Sequence, residues 1–122
     1  MNNTNILIVD DDCNVSYTCS ELINMFFSNV NTITANSVMS ALRIIKRMDI
    51  NLIITDLNLK EYSSKMIIDY INKISNRPYV ILMSGDDSDI PKDVDYFLLK
   101  PFKPLLLKES IKKLIGTKLL EN

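Results

Sequence analysis

The chain has 122 residues, 47% hydrophobic and 24% charged, a balance that suits a single domain over residues 1–122 with a core at about 4–116, and leaves no room for a second module. The net charge is −1 and no basic cluster is present, which argues against direct nucleic-acid binding; no apolar run approaches the roughly 18 residues needed to cross a bilayer. The polar start, Met1 to Asn5, is not a signal peptide, Cys13 and Cys19 are too far around one helix to pair, and a cytoplasmic location is expected.

In chain order, five short apolar runs have the length of buried strands: Ile6 to Val9, Thr32 to Ala35, Leu52 to Thr55, Tyr79 to Met83 and Tyr96 to Leu99. Between them lie stretches with one apolar stripe at helical spacing. The first carries Val15, Cys19, Leu22, Ile23 and Phe26; the second Val38, Ala41, Leu42 and Ile45; the third Ile67, Tyr70, Ile71 and Ile74. A last helix follows Pro104, with Leu107, Ile111, Leu114 and Ile115 on one face and Gly116 placed to end it. Only eleven residues separate Ser84 from Tyr96, among them Gly85 and Pro91, so the helix expected there is very short. This alternation predicts an α/β fold, a doubly wound five-stranded parallel sheet whose ligands sit at the carboxyl ends of the strands.

Those ends carry the polar residues. Asp10, Asp11 and Asp12 follow the first strand, Asp56 the third, Ser84 the fourth and Lys100 the fifth. Acidic residues at a helix start can be simple caps. Carboxylates converging within ~4 Å, however, repel by roughly 4 kcal/mol per pair at an effective dielectric of ~20, against ~0.3 to 1 kcal/mol returned by a helix dipole. A cation is needed to hold them together. With no histidine in the chain, oxygen ligands favour a hard cation, Mg²⁺, with Mn²⁺ as a substitute. A carboxylate beside such a metal and a lysine is a competent nucleophile toward an activated phosphoryl group, and Asp56, central in the sheet, fits that role best.

Taken jointly, ILIVDDD at 6–12, LIITDLNL at 52–59, ILMSGD at 81–86 and YFLLKPF at 96–102 are similar to the motifs of response-regulator receiver domains, in order and spacing, over nearly the whole chain. The resemblance implies a flavodoxin-like sheet of order 2-1-3-4-5, with a shortened fourth helix. It implies Asp56 as phosphoacceptor, Asp11 as a direct Mg²⁺ ligand, Asp10 acting through water, and the backbone carbonyl of Asn58 as a further ligand. Ser84 then corresponds to the hydroxyl that moves toward the phosphoryl group, Lys100 to its cation, Phe97 to the aromatic switch, and Pro101 to a proline preceded by a cis peptide. The implied function is phosphorelay signalling by a phosphoacceptor rather than a conventional enzyme. Its implied partners are a histidine kinase or histidine phosphotransfer protein and a downstream protein target.

Three departures stand out. Lys60 replaces a common proline, Ser64 a common glycine, and the short fourth helix alters a face that receivers use for dimerisation, so a monomer is expected. Phe97 in place of a frequent tyrosine keeps the ring without the hydroxyl. Competing readings fit less well. Asp10 and Asp12 form the D-x-D of aspartate-nucleophile phosphatases, but Asn14 stands where those enzymes carry Thr or Val. A flavin binder would need a Ser/Thr/Gly-rich phosphate loop where this chain has three aspartates. The remaining alternative is a receiver-like binding module that works without phosphorylation.

Overall fold

The computed structural model describes residues 3–87 and 90–122. Its elements are β1 (Thr4–Val9), α1 (Cys13–Phe26), β2 (Val30–Ala35), α2 (Val38–Arg47), β3 (Leu52–Asp56), α3 (Lys65–Ile71), β4 (Tyr79–Ser84), β5 (Tyr96–Leu99) and α4 (Pro104–Ile115), followed by a 3₁₀ turn, Gly116–Lys118. All strand pairs are parallel, in the order β2-β1-β3-β4-β5. The expected fold and strand order are therefore those observed.

Strand residues alternate between two apolar layers, as a sheet covered on both faces requires. Ile6, Ile8, Leu52, Ile54, Ile81 and Met83 face α1 and α4, where they meet Ile23, Leu107 and Ile111. Leu7, Val9, Ile53 and Val80 face α2 and α3, against Val38, Ala41, Ile67 and Ile71. β1 and β2 begin two residues before their apolar runs, where Thr4 pairs with Val30, and β3 and β4 run one residue further, through Asp56 and Ser84, while β5 matches its run. Helix α3 stops at Ile71, yet Ile74 still reaches the second layer from the turn beyond it.

The connection between β4 and β5 shows no helix among its described residues, only a turn at 92–93; residues 88–89 of the expected short helix lie outside the described set. Gly85 and Pro91 interrupt the eleven residues available there, and both disfavour a helix interior. Arg77, just before β4, ties the far end of this connection instead. Its Nε donates to Asn72 Oδ1 at 2.8 Å, Nη1 to Pro78 O at 2.8 Å and to Asp95 Oδ2 at 3.0 Å, and Nη2 to Asp93 O at 2.6 Å. Asp95 Oδ2 also accepts the Val80 N–H at 2.7 Å.

At the amino end of the sheet three asparagines stand side by side. Asn31 Nδ2 donates to Asn5 Oδ1 at 3.1 Å, and the Asn5 N–H donates to Asn51 Oδ1 at 2.8 Å. The Asn51 N–H returns a bond to Asn5 O at 2.9 Å.

Candidate functional site

Pairing of Val9 with Thr55 in the β1–β3 ladder sets Asp10 and Asp56 side by side at the carboxyl end of the sheet. Asp10 is 2% exposed and its N–H is held by Ala35 O at 3.1 Å, so its carboxylate is fixed inward. One of its oxygens accepts the Asp12 N–H at 2.9 Å. Asp12 itself caps α1, its Oδ1 accepting the Asn14 N–H at 2.9 Å. The capping role that competed for the three aspartates thus falls to Asp12. Asp10, Asp11 and Asp56 converge, with one carboxylate oxygen from each lying within 4.8 Å of the others.

Lys100 follows β5, two strand spacings from β3, so only a long side chain can bridge the distance. Its Nζ lies 3.2 Å from Asp56 Oδ1 and 3.4 Å from Asp10 Oδ2. Burial disfavours charge on this ammonium, but Asp56 and Asp10 outweigh it and hold its pKa above the usual lysine value. Burial also pushes the Asp56 carboxyl above the ordinary carboxylate range; Lys100 opposes this, and Asp10 and Asp11 add to it.

The remaining predicted residues surround this group. Ser84, 4% exposed, pairs with Leu99 in the β4–β5 ladder, and its hydroxyl accepts the Asp86 N–H at 3.2 Å. Phe97 is half-buried on β5 opposite Leu82. The Lys100–Pro101 peptide is cis. Asn58 lies exposed in the loop after β3, bridged to Ser63. Both cysteines are free, and burial pushes the Cys19 thiol up.

Two features were not foreseen. An apolar-walled groove of about 640 Å³ opens beside Lys100, lined by Val15, Leu22, Pro101, Phe102 and Pro104 among others. The stripe on α1 gave Val15, Cys19 and Leu22 of that lining, but its meeting with the 101–104 segment is a tertiary fact. Ser64 is fully buried, and its hydroxyl has no hydrogen-bond partner among the described residues. Its place where glycine is common was the available signal.

Three carboxylates against one ammonium give the cluster of Asp10, Asp11, Asp56 and Lys100 a net charge of −2 when all are ionised. That donor set fits a divalent oxygen-binding cation.

The chain matches the response regulator receiver domain family over residues 6–112. It belongs to that family. Receiver domains are in general phosphoacceptor signalling modules rather than classical enzymes, and typically bind Mg²⁺ at an acidic pocket. Solved receiver structures share the fold. The signal receiver domain of a putative Luxo repressor protein from Vibrio parahaemolyticus is 22% identical with a TM-score of 0.85, covering 94% of this chain and 92% of that one. A response regulator receiver domain protein from Clostridium thermocellum is 25% identical with a TM-score of 0.81, over 94% and 96%. A CheY-like receiver domain from Methylobacillus flagellatus is 21% identical with a TM-score of 0.81, over 92% and 98%. No curated protein sequence matches this receiver domain at the level that marks a relative. Among its described residues, no helix is long and apolar enough to cross a membrane.

Proposed function

We propose that this receiver domain accepts a phosphoryl group from a phosphohistidine of a partner protein onto Asp56, and that the change alters its surface toward a downstream protein. The carrying observation is the position of Lys100 Nζ, 3.2 Å from Asp56 and 3.4 Å from Asp10, over a cluster that also includes Asp11. Asp56, only partly buried, offers a carboxylate oxygen to the incoming phosphorus. The bond to that oxygen forms as the phosphorus–nitrogen bond of the donor breaks, and the electron pair leaves with the imidazole nitrogen.

Asp10, Asp11 and Asp56, with the Asn58 carbonyl, would hold Mg²⁺ or Mn²⁺, which when bound supplies positive charge to the oxygens of the transferring group. Lys100 supplies a second positive charge as a point donor. The Ser84 hydroxyl, which accepts an N–H of its own loop, can turn to donate to a phosphoryl oxygen, and Phe97 is the neighbouring ring that can respond. Charge-assisted bonds at ~1.5 to 3 kcal/mol each, from Ser84 and Lys100 together, approach the ~5.5 kcal/mol that inverts a 1:99 equilibrium.

The test is incubation with Mg²⁺ and either acetyl phosphate or beryllofluoride, following intact mass and backbone NMR shifts in wild type and Asp56→Asn. One base-labile phosphoryl group, or shifts around Ser84 and Lys100 that require Mg²⁺, is expected in wild type only. An unchanged wild type with a phosphohistidine donor as well would leave a binding module that works without phosphorylation.

A further inference from the structure

Helix α1 ends at Phe26 with no left-handed cap; Phe27 follows directly in extended conformation. The last carbonyls of a helix need donors from elsewhere. Here they come from the carboxyl end of the chain. Asn122 Nδ2 donates to Asn24 O at 3.2 Å and to Met25 O at 2.9 Å, and the Asn122 N–H donates to Phe26 O at 2.9 Å.

Further bonds stitch the same two segments together. The Ser28 N–H donates to Leu120 O at 2.9 Å, the Leu120 N–H to Asn29 Oδ1 at 2.8 Å, and Asn29 Nδ2 to Lys118 O at 2.7 Å. Phe27 and Glu121 form an antiparallel bridge, and Leu119 packs on the core layer beneath α1 and α4. Glu121 also reaches α4, with Lys108 Nζ at 3.1 Å and Lys112 Nζ at 3.2 Å. Helix α1 starts directly after Asp10–Asp12, and α4 starts four residues after Lys100. The two helices that begin at the acidic site are therefore tied together at their far ends by this one segment.

We infer that residues 116–122 form a latch that docks and releases as one unit, closing the end of α1 and binding it to α4. Apart from the packing of Leu119, its attachments are polar, and several are peripheral: Leu120 is 50% exposed and the Glu121 ion pairs lie at the surface. A segment held this way opens at a lower free energy than the core strands. The inference is independent of whether Asp56 is phosphorylated.

Hydrogen exchange measured by NMR on the full chain tests it. In wild type the amides of Ser28, Leu120 and Asn122 should share one opening equilibrium, well protected relative to an unstructured chain but less than Ile8 and Ile54. Asn29→Ala should raise exchange at all three by at least tenfold while Ile8 and Ile54 keep their protection. Asn122→Ala, which removes only the side-chain carboxamide, should move Ser28 and Leu120 in the same direction. Unrelated opening equilibria in wild type, unprotected rates there, or an effect of Asn29→Ala confined to Leu120 would each overturn the latch.

Discussion

Asp56 occupies a place that is electrostatically costly to the fold. Its carboxyl is partly buried, two other carboxylates lie within 4.8 Å, and one lysine opposes them. Because its folded pKa is raised, the folded state holds the Asp56 proton more tightly than the unfolded chain does. That contribution is fully present below the unfolded carboxylate value near ~4 and is lost as pH rises through the raised one. Asp56→Asn should therefore be more stable than wild type at neutral pH without metal, by about 1 kcal/mol or roughly 4 °C in Tm. The advantage should shrink as pH falls toward ~4, and Mg²⁺ should raise the wild-type Tm more than that of the variant. Thermal melts in chelator and in Mg²⁺ across that pH range check both signs.

A second residue-scale expectation concerns Ser64. Its hydroxyl is buried and has no partner among the described residues, and its backbone is right-handed at φ −61°, ψ −12°, which alanine adopts without strain. Ser64→Ala should gain about 1 kcal/mol, read as a higher urea midpoint at unchanged m-value. A loss of stability would mean that the hydroxyl has a partner in solution.

At the scale of elements, the β4–β5 connection shows no helix among its described residues, and a guanidinium ties its far end. Arg77 bonds to four separate groups, in α3's cap, its own turn and the connection. Lysine cannot reproduce that planar fork. Arg77→Lys should cost about 1 to 2 kcal/mol, with faster amide exchange at Val80 and Asp95 than at Ile8 or Ile54. Uniform loss of protection across the sheet would instead mark Arg77 as a determinant of global stability alone. The shortness of this connection was legible in eleven residues containing Gly85 and Pro91. Arg77's role was not, since Asp93 and Asp95 lie sixteen and eighteen residues away and meet it through the tertiary fold.

For the molecule as a whole, the strands were legible because a sheet buried on both faces demands uninterrupted apolar runs, and Ile6 to Val9 or Leu52 to Thr55 supply them. The convergence of Asp10, Asp11, Asp56 and Lys100 was legible because parallel strands present all their carboxyl ends on one side. What was hidden depends on residues about ninety positions apart, such as Asn29 with Lys118 and Leu120, for which no local pattern exists. Gly116 shows a milder limit. Helix α4 does end before it, but at φ −58° its special freedom is unused and the chain continues into a 3₁₀ turn.

The asparagine row at the opposite edge of the sheet bears on the acidic site in its own way. Asp10 stands five residues beyond Asn5, and Asp56 five residues beyond Asn51. Two equal rulers, zeroed against each other at the asparagines, thus end at the two carboxylates about 16 Å away. A slip of one residue would turn one acid toward the other face of the sheet. The alignment tolerance of the chemistry is set where none of the chemistry occurs.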